Sequence, residues 1–226
     1  MKRPVPEISA FEGDRLKALD LVSVSRETLG KLDLLAQELR KWQNIKNLVG
    51  PSAIEHIWTR HIADSAQLMQ LAPDAGVWLD LGSGGGFPGL VLAIMRSERG
   101  LPATHLVESN SRKCAFLRHV VRLTGASAHI HEARVEALLI NLDIIPDVIS
   151  ARALAPLDQL LEWTNSLLRK GALGIFPKGQ DVEVEIERAA RSWSFEIECR
   201  PSLTDQQARI VLVRMKSETG HSHVAT

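Results

Sequence analysis

The 226-residue chain has almost no cysteine, no net charge and no long apolar run. Its two cysteines, Cys114 and Cys199, are too few for the disulfide framework of a small secreted domain or for a four-thiolate zinc site. A reducing compartment is therefore expected. Lys and Arg number 27, and so do Asp and Glu. This balance argues against a protein held on nucleic acid or membrane by bulk positive charge, so any such partner needs a local patch. No run approaches the roughly 18 apolar residues of a membrane span. The basic start, Met1 to Ile8, is not followed by the apolar core of a signal peptide. The expectation is a soluble, cytoplasmic protein. No internal repeat is visible.

What is present is ordinary globular composition, with 45% hydrophobic and 24% charged residues, which excludes whole-chain disorder. The length suits one domain, with room for a small additional subdomain. Helical spacing dominates the first third. Leu29, Leu32, Leu35, Ala36 and Leu39 recur on one face, as do Ile54, Ile57, Trp58, Ile62, Ala66 and Met69. Pro51-Ser52 reads as a break and an N-cap between them.

From Val77 the pattern changes to short apolar runs, the signature of buried parallel strands. They fall at Val77–Leu81, Thr104–Glu108, Ala128–His131, Asp147–Ser150, Leu173–Phe176, Phe195–Glu198 and Ile210–Val213. Helix-length segments lie between most of them, at Gly89–Arg96, Arg112–Leu123, Leu157–Leu168 and Val182–Arg191. Strands alternating with helices predict an α/β fold, a mostly parallel seven-stranded sheet covered on both faces. Pro201–Ala208 is too short for a parallel crossover, so the last two strands should pair antiparallel at one edge. The expected organisation is an N-terminal helical extension over 1–75, packed on an α/β domain over 76–216, with a frayed tail over 217–226. His221 and His223 in that tail read as a loose end, since a two-histidine pair lacks further metal ligands.

The most informative stretch runs from Asp80 through Gly82, Gly84, Gly85 and Gly86 to Phe87, Pro88 and Gly89. It follows a strand and opens a helix, with Pro88 suited to the first helical turn. In a doubly wound fold this turn is where a ligand sits. Gly84, Gly86 and Gly89 formally match a dinucleotide fingerprint, but no Walker-type phosphate loop is present. Asp80, at the strand end, would crowd a pyrophosphate and suits a ligand bearing an ammonium or sulfonium. Glu108, ending the second strand, can accept hydrogen bonds from both hydroxyls of a ribose. Together these favour S-adenosylmethionine (AdoMet) over NAD. The following helix presents Arg112, Lys113, Arg118 and Arg122 with His119 and no acid. That face is either solvated or a phosphate-contacting patch.

The glycine loop resembles that of the bacterial small-subunit ribosomal RNA guanine-N7 methyltransferases, the glucose-inhibited division protein B family. Asn47-Leu48-Val49, then Arg60-His61 with Asp64-Ser65, are similar to two of its signatures, with Val49 where threonine is usual. Glu108-Ser109 with Arg112-Lys113, the segment Ile149 to Ala153, and Pro177-Lys178-Gly179 resemble three more. The matches cover roughly residues 44–180. The resemblance implies a Rossmann-like methyltransferase fold with AdoMet as methyl donor. Its expected partner is small-subunit ribosomal RNA or the ribosomal particle, with no membrane, no metal, and the chain acting as a monomer. Carried over by position, Gly82 and Phe87 would line the methionine and ribose side of the cofactor. Val135 and Glu136 would lie beside the adenine. Arg152 would face the cofactor and the incoming base, and Lys178 would help position the substrate.

The acceptor sets the chemistry. Guanine N7 has a free lone pair and no proton, so its attack on a methyl group needs no general base. Catalysis would rest on orientation and electrostatics, with Arg152 and Lys178 as binding groups. A base stacked in a duplex is inaccessible to such an attack, so the target should be unpaired or extruded. Lys46, Arg60 and His61 would cover one side of the site. The competing readings are an AdoMet methyltransferase with another substrate, an NAD-binding oxidoreductase, and a ligand-sensing module.

Overall fold

The computed structural model describes residues 9–46 and 55–216. The expected Pro51-Ser52 break, Asn47 to Val49 and the tail histidines lie outside the described residues. Seven strands form one sheet: β1 (Trp78–Leu81), β2 (Thr104–Glu108), β3 (Ala128–Glu132), β4 (Val148–Ala151), β5 (Leu173–Lys178), β6 (Phe195–Pro201) and β7 (Arg209–Met215). Their order is β3-β2-β1-β4-β5-β7-β6. The first five run parallel, and β7 pairs antiparallel with both β5 and β6. The short connection after Pro201 thus makes a hairpin, and its return strand β7 is inserted one place in from the edge. This insertion separates the sheet from the dinucleotide-binding order 3-2-1-4-5-6.

Alternation along the strands assigns the faces. Trp78, Leu106, Val148 and Ile175 point to one side, and Leu79, Val107, Ile149 and Phe176 to the other. The second side is covered by α6 (Val135–Ile140), α7 (Leu157–Leu168) and α8 (Val182–Ala190), whose buried residues include Leu157, Leu160, Leu161 and Leu168. On the first side lie α4 (Gly89–Glu98) and α5 (Ser111–Thr124). Asn110 caps α5 by accepting from the Arg112 and Lys113 amides, and Gly125 ends it in the left-handed region.

The N-terminal helices α1 (Ala10–Leu21) and α2 (Arg26–Lys46) share one apolar core with α4 and α5, through Leu32, Leu35, Leu39, Ile94, Phe116 and Val120. The spacing from Ile57 to Met69 predicts an ordinary helix, whereas the structure divides it. A π-helical turn (Trp58–Ala63) leads into the single α turn α3 (Asp64–Ala66) and a 3-10 turn (Gln67–Leu71). Asp14 of α1 anchors the start of this segment: its carboxylate accepts from the Trp58 amide at 2.9 Å and from Thr59. No helix among the described residues is long and apolar enough to cross a membrane.

Candidate functional site: a cleft at the carboxyl end of the sheet

The sheet order reverses between β2-β1 and β4, and a cleft of about 270 Å³ opens at the carboxyl ends of these strands. This is the ligand position of doubly wound folds. Gly82, Glu108, Val135 and Glu136, all expected at a cofactor site, line it. Val135 and Glu136 also start α6, so the residues that border the cleft are the first turn of a helix.

The glycine loop is shaped by two carboxylates. Glu108 accepts from the Gly84 amide at 2.9 Å and from the Asn110 amide at 2.7 Å, leaving lone pairs on both oxygens. Asp80 departs from the expectation that it would face the ligand. It is fully buried, and its oxygens accept from Ser83 Oγ (2.6 Å), the Gly89 amide (3.0 Å) and Ser150 Oγ (2.7 Å). Burial pushes this carboxyl up to about 6, against the pull of those three donors. Asp80 therefore holds the loop from beneath. Pro88 likewise stands at the N-cap of α4 rather than inside its first turn.

Gly82 is required by conformation and by space. Its φ is +66°, and a Cβ there would stand 2.5 Å from Leu154 Cδ1. Leu154 lines the cleft with Ala153, Trp163 and Lys113. Of these, Trp163 and Leu154 carried no signal in the sequence, because they sit within ordinary apolar patterns. Ala153 adopts φ +51°, a rare conformation for a residue with a Cβ, directly after Arg152.

Phe87 and Arg152 do not line this cleft but meet beside it. Arg152 directly follows β4 and donates to Arg60 O (2.8 Å), Asp64 Oδ2 (3.0 Å) and His61 Nδ1 (2.7 Å). Its guanidinium lies 5.5 Å from the Phe87 ring centroid, and the His61 ring stacks on Phe87 at 4.8 Å. Asp64 also accepts from Thr204 Oγ1 at 2.9 Å, and Leu203 N donates to Gln67 Oε1 at 2.8 Å. The π-helical segment is thereby pinned to the end of β4 and to the β6–β7 hairpin loop.

Lys178, at the end of β5, pairs with Glu185 at 2.8 Å and donates to Ala155 O at 2.7 Å. Glu185 in turn accepts from the Leu157 amide at 2.7 Å. The pair clamps the loop that leads from Arg152 into α7. On α5, Arg112, Arg118 and Arg122 are exposed, and Arg118 pairs with Glu132 at 2.9 Å. Among the described residues no cluster of three or more His, Cys, Asp or Glu is arranged to hold a metal ion.

Comparison with known proteins adds to this geometry. Among solved structures, the O-methyltransferase TomG from Streptomyces achromogenes, in complex with SAM, aligns with a TM-score of 0.58 at 14% identity, over 94% of this chain and 100% of its own. The SAH-bound methyltransferase PaMTH1 of Podospora anserina aligns with a TM-score of 0.63 at 10% identity, over 96% and 100%. These likenesses are of fold. In sequence, a protein of Methylobacterium radiotolerans named ribosomal RNA small subunit methyltransferase G is 51% identical over 208 residues, 92% of this chain and 98% of that protein. One of the same name from Bradyrhizobium diazoefficiens is 47% identical over 196 residues, 87% and 75% of the two chains. The family described as rRNA small subunit methyltransferase G matches residues 28–211. The chain belongs to the rRNA small subunit methyltransferase G family.

Proposed function

We propose that the protein transfers a methyl group from AdoMet to N7 of a guanine in small-subunit ribosomal RNA. The observation that carries this reading is a glycine-lined cleft, bounded by Glu108, beside a junction in which His61 Nδ1, Asp64 and Asp80 are already engaged. His61 Nδ1 and Asp64 Oδ2 both accept from Arg152, Asp64 Oδ1 accepts from Thr204, and Asp80 is enclosed. Such a site favours an acceptor that carries no proton.

The residues fit AdoMet. Glu108 keeps acceptor capacity for ribose hydroxyls, and Gly82 leaves room that a Cβ would fill. Val135 and Trp163 offer apolar walls to a purine ring. AdoMet, when bound, supplies a methyl carbon whose bond to sulfur breaks as N7 attacks, with positive charge passing to the purine. Gly82 and Phe87 would hold the methionine and ribose side, and Val135 and Glu136 the adenine. Arg152 positions the incoming base. Lys178 contributes by fixing the Ala155 carbonyl, and hence the loop that carries Arg152. The 1–75 segment serves as a wall of the acceptor site on the 76–216 domain. A ribosomal RNA substrate places the work in the cytoplasm, with the chain acting as a monomer.

Purified protein with methyl-labelled AdoMet is the test, offered small-subunit RNA, small-subunit particles, free guanosine and bulk protein. Label in RNA that maps to N7 of one guanine, and vanishes with 7-deazaguanine there, is the expected result. Label in protein alone would overturn the reading. Calorimetry should show AdoMet binding and no NAD binding.

A further inference from the structure

The π-helical turn carries two buried donors that no contact among the described residues uses, Trp58 Nε1 and His61 Nε2, and the second belongs to the ring held by Arg152. His61 Nδ1 accepts from Arg152 Nη2 at 2.7 Å. A guanidinium only donates, so Nδ1 is the bare nitrogen and the proton resides on Nε2. That Nε2–H is buried and meets no acceptor among the described residues. Buried donors are nearly always paired, and an orphan near a functional site calls for an explanation.

The ring is also held in place before any ligand arrives. It stacks on Phe87 with 22° between the planes, and Arg152 fixes its other nitrogen. Burial, with the charges of Arg152 and Arg60, pushes its pKa down to about 3, so the imidazole is neutral under all ordinary conditions. Phe87 belongs to the glycine loop, and Arg152 immediately precedes Ala153 and Leu154, which line the cleft. On the reading above, Gly82 and Phe87 would hold the methionine side of the donor, beside this junction.

We propose that His61 reads the target base directly, its Nε2–H donating a hydrogen bond to guanine O6 while N7 faces the methyl group. The proposal rests on the guanine-N7 reading above. The Hoogsteen edge of guanine offers two acceptors, N7 and O6. N7 is consumed by the reaction, which leaves O6 beside it as the handle that sets the angle of attack. Adenine presents an amino donor at the same place, so donor would meet donor and adenine is rejected. A neutral donor suits the chemistry, because the ring gains positive charge and a cationic donor would oppose it. Once methylated, the ring withdraws density from O6 and the contact weakens, which favours release.

The test pairs a protein change with a base change. His61→Phe keeps a ring against Phe87 and removes the donor, together with the Nδ1 acceptor of Arg152. Small-subunit RNA carrying 6-thioguanine at the mapped position replaces O6 by a weaker acceptor. Wild-type protein should methylate the thio-substrate about tenfold more slowly in kcat/KM. His61→Phe should be slowed on normal RNA by a similar factor, show no further loss on the thio-substrate, and bind AdoMet with unchanged affinity by calorimetry. Equal wild-type rates on the two substrates would overturn the proposal, even if the variant failed to fold. So would a variant whose whole defect lay in AdoMet affinity, since the acceptor would then be on the cofactor. Absence of any N7-methylguanine with wild-type protein is a distinct result and would sink the functional reading itself.

Discussion

Ser150 on β4 donates to Asp80 on β1 at 2.7 Å while accepting from Trp78 Nε1 at 3.0 Å. One hydroxyl thus ties two central strands to the carboxylate that holds the glycine loop through Ser83 and Gly89. Asp80→Ala should leave the Gly89 amide and two hydroxyls without their acceptor. We expect a loss of about 2–4 kcal/mol in stability, with weakened AdoMet binding, measurable by urea denaturation and calorimetry.

The same carboxyl gives a pH signature. Its folded pKa of about 6 lies above the ordinary value of 3.8, so the folded state binds the extra proton between those values. Asp80 therefore favours folding most below pH 4 and loses that contribution as pH rises to about 6. His61 has the opposite sign. Its pKa, pushed from 6.5 down to about 3, makes the unfolded chain take the proton first, so stability falls as pH drops through that window. Denaturation midpoints of Asp80→Asn and His61→Phe, compared with wild type between pH 4 and 7, should diverge from it with opposite slopes.

Gly82→Asp places bulk at φ +66° against Leu154. AdoMet affinity should fall on the order of a hundredfold or more, equivalent to about 2.7 kcal/mol. Near-wild-type affinity by calorimetry would contradict the assigned role of the loop.

Glu108→Ala removes the acceptor of the Gly84 and Asn110 amides together with the expected ribose contact. A drop in AdoMet affinity of roughly 10- to 100-fold is expected. Binding of methionine alone would be little affected, and competition calorimetry separates the two.

Arg152 serves three acceptors that no single ammonium group can span. Arg152→Lys should therefore fail to restore activity, and Arg152→Ala should cost about 3 kcal/mol of stability by leaving Asp64 short of its partner. Thermal unfolding beside methylation rates distinguishes the two losses, with the rate of both variants expected to fall further than stability explains.

The sheet was largely legible in the sequence, because strands such as Val148–Ala151 are short, mostly apolar and buried throughout, and are interrupted by helix-length segments. Their ends were less so: β6 and β7 run on to Pro201 and Met215, where hairpin pairing rather than hydrophobicity maintains the strands. Helix α1 gave little signal, since its buried residues are Asp14 and Ala18, an acid and a small side chain. Glu108 was legible as an acid that ends a strand, whereas Gly82, Val135 and Glu136 entered through the family resemblance; all four line the cleft. Asp80 was misplaced because a carboxylate at a strand end reads as exposed, and only the three-dimensional loop supplies its donors. The junction of Arg152, His61, Asp64 and Phe87 joins residues up to 91 positions apart, which local pattern cannot reveal.

The π-helical turn at Trp58–Ala63 has a genetic consequence. Such a turn is an α-helix with one residue inserted. Deleting a single codon within it would let the helix close into ordinary α turns while both flanks, held by Asp14 and by the β6–β7 loop, keep their places. The side chains of the turn itself would shift by one position, carrying His61 away from Arg152. This stretch is therefore a point where an in-frame loss can spare the protein's abundance and still erase its mark on the ribosome.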